Sequence, residues 1–385
     1  LERTLLERLA TRSRLATVGS LLVHQPHLPQ PDPISLDVCV PIDHRVRRGS
    51  VRAIFDTPRS RIRMRRGLEG LMNDADHQGR AEALDALSVV NALEAQLFNT
   101  VPYYGPQHVL LELCTGRQCS GAISPHRWGS IQRAPMTLRR AERIFAQLGE
   151  SGDAVVTLGG VGDPLHHPDF DRIIAMAKEA GVRGVHVRTE LLAGDEAIDR
   201  LLASPVDVVS VEVQGVGPAT YRAQMGVDRF NDMLAGLGRL LAGRRHVAGP
   251  AGREGFFLPW VCPRIQRRVE SYEDIDPFWE HWSRQLGTAI IDGPIPFDPT
   301  PDRPVDPLAS ARVPNRVAFR ELHRRMTILS DGTVPISELD LFGERSIGSV
   351  DATALIDLWR TLVQRRRQAH REEGEGHESL RLRTP

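Results

Sequence analysis

Residues 153–190, DAVVTLGGVGDPLHHPDFDRIIAMAKEAGVRGVHVRTE, decide the fold class. DAVVTLGG (153–160) is a short β-branched apolar run closed by glycines, which reads as a strand. DFDRIIAMAKEAG (169–181) carries apolar residues at helical spacing, with a glycine just past its end. GVHVRTE (184–190) is a second strand. Strand, helix and strand in this order make a βαβ unit, and βαβ units build parallel sheets.

The same alternation continues on both sides. Upstream, HVLLELC reads as a strand and PMTLRRAERIFAQLGE (135–150) as a helix. Downstream come a helix in EAIDRLLASP, a strand in VDVVSVEV (206–213) and a helix in RFNDMLAGLGRLLAG (229–243). After a break at HVAGPAGREG, GFFLPWVC (255–262) is a strand and DIDPFWEHWSRQLG (274–287) a helix. About five βα units therefore lie between 107 and 292. That is too few for a full eight-unit barrel. The dinucleotide fingerprint G-x-G-x-x-G does not follow the first strand, which lowers the Rossmann alternative.

Less regular segments frame this core. Residues 1–106 read as a small α/β and helical region: a helix and short strand in 1–24, a proline-rich connection in PHLPQPDPI (26–34) and a helix in AEALDALSVVNALEAQLF (81–98). Residues 293–317 are rich in proline and aspartate and read as a linker. RMTILSDGTVPISEL (325–339) reads as a hairpin turned by Asp331 and Gly332, followed by a helix within 318–370 and a tail over 371–385. The hairpin is expected to be held by packing around Met326, Ile328, Val334 and Ile336.

Composition narrows the function classes. The 385 residues contain 41% hydrophobic and 25% charged residues, ordinary for a globular chain. Lys plus Arg and Asp plus Glu are 49 each, so overall charge does not point to nucleic acid. The arginine-dense stretches RVRRGSVR and RSRIRMRRG read as a solvated basic face. No apolar run reaches the roughly 18 residues of a membrane span. The four cysteines, Cys39, Cys114, Cys119 and Cys262, are too scattered for a disulfide scaffold, which favours a reducing, cytoplasmic setting.

Several quoted stretches fall in one order: LELCTGRQC, TLGGVGDPLHHPDF, VHVRTELL, VDVVSVEVQGVGPATYRAQMGVDRFNDMLAGLGRL, GFFLPWVCPRI, FWEHWSRQLG and RMTILSDGTVPISELDLFGERSIGSV with the later Trp359. From 107 to about 360 this order resembles the radical S-adenosylmethionine superfamily, in particular members with a C-terminal SPASM or twitch-like extension. The resemblance implies an α/β fold: a partial (βα)6 barrel with a small N-terminal α/β region and a C-terminal hairpin-plus-helix extension. It implies a [4Fe–4S] cluster on a C-x3-C-x2-C loop after the first strand. The cluster binds the amino and carboxylate groups of S-adenosylmethionine, and reduction cleaves the cofactor to a 5′-deoxyadenosyl radical. An electron donor such as flavodoxin or ferredoxin would then be a partner.

The cysteine loop departs from that template. Started at Cys119, the spacing lands on Ile123 and His126; started at Cys114, it lands on Gln118 and Gly121. Cys114, Cys119 and His126 are the candidate metal ligands, with Cys262 or Cys39 as further thiols that folding could bring near. Ser337 stands where an auxiliary-cluster cysteine is usual and none follows Cys262, so no auxiliary clusters are expected.

The resemblance also implies cofactor binding at Gly159, Gly160, Gly162, Asp163 and Pro164, where glycines let backbone approach a ligand and proline sets the turn. Residues at barrel strand ends point into the site. Arg188 and Ser210 are therefore candidate cofactor contacts, and Glu190 and Glu212 candidate catalytic groups. His166 and His167 are candidates to face the pocket, and Trp260 and Arg264 to flank its mouth.

Two functions follow. One is a radical enzyme that abstracts hydrogen from a small molecule, such as a sugar or cyclitol of natural-product biosynthesis. The other is a cluster-free homologue that acts as scaffold or partner subunit of another protein, or performs polar chemistry.

Overall fold

Helix formation in the core follows from apolar side chains spaced at i, i+3, i+4 and i+7. In α2 (Leu138–Gly149) the stripe is Ala141, Ile144, Phe145 and Leu148, all buried. Thr137 caps its start, its hydroxyl accepting the N–H of Arg140 at 3.2 Å. Burying each of the large side chains contributes roughly 1.5–3 kcal/mol, as an upper estimate. Phe170, Ile173, Ile174 and Ala177 form the same stripe on α3 (Phe170–Glu179).

The computed structural model describes residues 58–77, 87–93, 105–247, 256–293, 324–338, 340–366 and 368. The expected opening helix and strand, Cys39, most of the 293–317 linker and the tail lie outside these residues. Helix α1 (Pro58–His77) takes up the second arginine-dense stretch. Part of the helix expected over 81–98 is seen as helical residues 87–93.

Strands β1 (His108–Leu111), β2 (Val155–Leu158), β3 (Gly184–Thr189), β4 (Val208–Glu212), β7 (Trp260–Gln266), β8 (Ile290–Asp292) and β9 (Arg325–Ile328) form one sheet. Its order is β8-β7-β4-β3-β2-β1-β9, and every pair is parallel. Helices α4 (Asp195–Ala203), α5 (Pro218–Met225), α6 (Phe230–Ala242) and α7 (Ile275–Leu286) complete the crossovers. The result is the expected α/β partial barrel. A separate antiparallel pair, β5 (Arg245–Val247) with β6 (Phe256–Leu258), splits the strand expected over 255–262 from β7.

The two faces of the sheet differ. Val109, Leu111, Val156, Leu158, Val185, Val187, Val209, Val211, Val261 and Ile265 are buried in the main apolar core. The alternate positions carry His108, Thr157, His186, Arg188, Ser210, Glu212 and Arg264. A parallel sheet is usually apolar on both faces. Here one face is polar, as suits the inside of an open barrel.

The C-terminal region differs from the expected hairpin in its pairing. The turn is present: Gly332 N–H donates to Leu329 O and Leu329 N–H to Thr333 O, both at 2.9 Å. But β9 lies parallel to β1 in the main sheet, and β10 (Thr333–Pro335) instead pairs antiparallel with β11 (Ser346–Ser349). The free edge of β1 attracts a strand whose Met326 and Ile328 continue the apolar face. The pair β10–β11 with helix α8 (355–366) forms the hairpin-plus-helix extension, and Val334 and Trp359 bury in the same core.

Candidate functional site

The C-terminal ends of β2, β3 and β4 surround an open cleft. It is lined by Arg117, Gly159, Gly160, Gly162, Asp163, Arg188, Thr189, Glu190 and Glu212. Seven of these are residues expected from the sequence; Arg117 and Thr189 are not. Strand ends of a parallel sheet leave unpaired backbone and loops, which is where such folds place their sites.

Glu190 is buried and holds the loop that follows β1. Its Oε1 accepts Nε of Arg117 at 2.7 Å, and its Oε2 accepts the backbone N–H groups of Gln118 and Cys119, each at 3.1 Å. Asp163 is a second buried junction. Its Oδ1 accepts Leu165 N–H at 2.9 Å, and its Oδ2 accepts the Thr189 hydroxyl at 2.8 Å and Glu190 N–H at 2.7 Å. Burial, then the neighbouring charge of Glu190, pushes its pKa up from the usual carboxylate range. Both carboxylates are thus occupied in tying the loop ends together.

The glycine loop serves the protein as well as any ligand. A Cβ on Gly162 would stand 2.3 Å from Cys114 O, and one on Gly160, at φ +133, would stand 3.1 Å from Glu112. Glu112, which sequence reading missed, forms a two-pronged pair with Arg133 at 2.9 and 2.7 Å. It also accepts the N–H groups of Val161 and Ser330 at 3.2 Å. No local spacing marks this group, because its partners come from the loop after β2, the loop before α2 and the turn after β9.

Deeper in the barrel, Glu212 Oε2 accepts Nε2 of Gln214 at 2.6 Å. Its Oε1 lies 3.8 Å from Arg188 and 3.7 Å from Arg264, both loose ion pairs. Arg264 is also hydrogen-bonded to Asp292 at 2.9 Å. Burial would raise the Glu212 value, but the guanidinium groups of Arg264, Arg188 and Arg117 outweigh it and hold the value down. Arg188 is lowered to about 10 by burial and by Arg264.

Below them runs a polar row across five strands. Arg325 Nε donates to His108 Nδ1 at 3.1 Å, leaving Nε2–H of His108 to donate to the Thr157 hydroxyl at 2.7 Å. That hydroxyl donates to His186 Nδ1 at 3.1 Å, and Nε2–H of His186 donates to Ser210 at 2.7 Å. Ser210 is therefore buried in this row and does not line the cleft. Pro164 starts a buried 3-10 turn outside it. His167 is also buried, its Nε2 bonded to Met136 O at 2.8 Å, and His166 is exposed; neither lines the cleft. Trp260 starts β7, at the end of the sheet away from the cleft.

The expected metal ligands are not gathered. Cys119 is buried in the apolar core. Cys114 Sγ donates to Asp163 O at 3.3 Å, and His126 Nε2 bonds Thr115 O at 2.7 Å. Centring the cluster template on Cys119 places Thr115 and Ala122 at the flanking positions, and neither has a thiol. Among the described residues no group of three His, Cys, Asp or Glu side chains is arranged to hold a metal ion. A cluster with one open iron needs three protein ligands, so the described residues do not fit it.

Residues 113–247 match the family model described as the radical SAM superfamily. This segment is a radical SAM domain. The radical SAM domain thus spans β1's exit, the cleft and the crossovers up to β5. Among curated proteins, the chain is 28% identical over 125 residues to an AdoMet-dependent heme synthase of Methanosarcina barkeri, covering 32% of this chain and 33% of that one. It is also 28% identical over 104 residues to an uncharacterized protein of Treponema pallidum, covering 26% and 27%. The chain spans a third or less of the length of these relatives. Among solved structures, Streptococcus suis SuiB bound to precursor peptide SuiA has a TM-score of 0.48 at 12% identity, covering 76% of this chain and 77% of that one. The AdoMet-bound anSMEcpe structure has a TM-score of 0.48 at 9% identity, covering 66% and 80%.

Proposed function

We propose that this chain binds S-adenosylmethionine in the cleft at the ends of β2, β3 and β4 without an iron–sulfur cluster, and acts there on a small molecule. The carrying observation is Glu190. Its carboxylate takes the N–H groups of Gln118 and Cys119 and the Arg117 guanidinium, so protein charge holds the loop that a metal would otherwise organise. The rest of the loop docks by backbone: Ser120 and Gly121 N–H donate to Met225 O at 2.9 and 2.8 Å, satisfying the end of α5. Radical cleavage of the cofactor, fed by flavodoxin or ferredoxin, is the competing reading. It would need ligands from beyond the described residues, such as Cys39.

The test is anaerobic reconstitution with iron and sulfide, followed by iron counting and by calorimetric titration with S-adenosylmethionine on both the treated and untreated chain. The expected result is under about one iron per chain, with equal cofactor binding by both samples. Close to four irons per chain, with binding only after reconstitution, would overturn the cluster-free reading.

A further inference from the structure

In the described structure the cleft holds one cation and one carboxylate oxygen that face each other without a hydrogen bond. The Arg188 side chain makes no hydrogen bond among the described residues, and its nearest acidic partner is Glu212 Oε1 at 3.8 Å. That oxygen likewise accepts no hydrogen bond, while Oε2 is held by Gln214. The other charges nearby have closer partners: Arg117 meets Glu190 at 2.5 Å, and Arg264 is hydrogen-bonded to Asp292, although it also lies 3.7 Å from Glu212 Oε1. The Arg188 side chain is 35% exposed and meets water at the cleft mouth, while that of Glu212 is 11% exposed; charges withdrawn from water are normally paired and hydrogen-bonded. A loose pair at the mouth of a cleft is the arrangement that a ligand of two opposite charges can enter.

We propose that Arg188 and Glu212 are the receptor for an α-amino acid head group, with the ligand carboxylate on Arg188 and its ammonium on Glu212 Oε1. The planar guanidinium matches a carboxylate with two parallel N–H donors. The ammonium supplies the donor that Glu212 Oε1 lacks. Gly159 sets the room: even a Cβ there would only reach ordinary contact with the Arg188 side chain, at 3.4 Å. The inference rests on the cluster-free reading, since iron would otherwise hold the amino and carboxylate groups of the cofactor. The head group could belong to S-adenosylmethionine or to an amino-acid substrate, and the ligands below separate the two.

The experiment is calorimetric titration of the full chain with S-adenosylmethionine, with 5′-methylthioadenosine, which lacks the head group, and with L-methionine, which lacks the nucleoside. Binding of 5′-methylthioadenosine should be at least about tenfold weaker than that of S-adenosylmethionine. Arg188→Met and Glu212→Gln should each weaken S-adenosylmethionine by about tenfold to a hundredfold, as expected for lost charge-assisted bonds. Both should leave 5′-methylthioadenosine unchanged. Arg188→Lys should recover part of the loss, and circular dichroism checks that each variant folds. Equal binding of both nucleosides by the unaltered chain overturns the head-group receptor while cofactor binding stands; this comparison needs no variant. If only L-methionine binds, and Arg188→Met abolishes it, the receptor stands for a substrate and the cofactor reading falls. If none of the three binds, both fall.

Discussion

The backbone N–H of Cys119 donates to Glu190 Oε2 at 3.1 Å, across 71 positions of sequence. Together with Arg117, this contact joins the cysteine loop to the end of β3. Glu190→Ala would leave the Arg117 guanidinium and two N–H groups unmet. Breaking such a buried pair costs about 3–5 kcal/mol. The double variant Arg117→Met/Glu190→Leu should recover only part of this, because the N–H groups of Gln118 and Cys119 still lack an acceptor. Urea denaturation midpoints of the single and double variants measure the difference, and full recovery would show that the ion pair alone matters.

Gly162 is required by the chain itself. In Gly162→Ala the new methyl would meet the backbone carbonyls of Cys114 and Gly116 at 2.3 and 2.7 Å, and backbone cannot swing aside as a side chain can. Overpacking of this kind costs about 1–3 kcal/mol. A lowered melting temperature is expected with no ligand present. An unchanged one would mean that the cysteine loop is looser than its hydrogen bonds imply.

Acid should weaken the barrel through its histidine row. Burial, with Arg325 for His108 and with Arg188 and Arg264 for His186, lowers these imidazoles to about 4 and about 3. Unfolded, each titrates at about 6.5. Between these values the unfolded chain binds more protons than the folded one, so stability is full above 6.5 and falls as pH drops toward 4. Each histidine contributes a slope of at most about 1.4 kcal/mol per pH unit. Denaturation midpoints between pH 7 and pH 4 should fall less steeply in His186→Gln than in the unaltered chain.

Arg140 and Asp351 make a contrasting pair. They meet at 2.5 Å between α2 and the turn after β11, but the Asp351 side chain is 45% exposed. Water competes for such a pair, and exposed pairs contribute about 1 kcal/mol or less. Asp351→Asn should therefore shift the denaturation midpoint far less than Glu190→Ala, despite similar distances.

The alternation of strands and helices was legible in the chain because period and capping are local. Val185 and Val187 on β3, or Ile173, Ile174 and Ala177 on α3, declare their buried faces within a few residues. The cleft was half legible: Gly159, Gly160, Gly162, Asp163, Arg188, Glu190 and Glu212 sit at strand ends that the pattern marks. Their roles were not, because a carboxylate reads the same whether it faces a ligand or three protein donors. Arg117 and Glu112 went unnoticed for the same reason, since their partners lie far along the chain.

Sequence by itself determined the parallel α/β architecture, the end of the sheet that bears the site, and the shortage of thiols for a three-cysteine loop. Tertiary structure alone decided that β9 joins β1, that Cys119 packs into the core, and that Glu190 and Asp163 bind the loop ends while Arg188 and Glu212 face each other unbonded. Periodicity reports what each residue's neighbours along the chain require. Charge pairing and metal ligation depend on distances of a few ångströms between segments that only folding brings together.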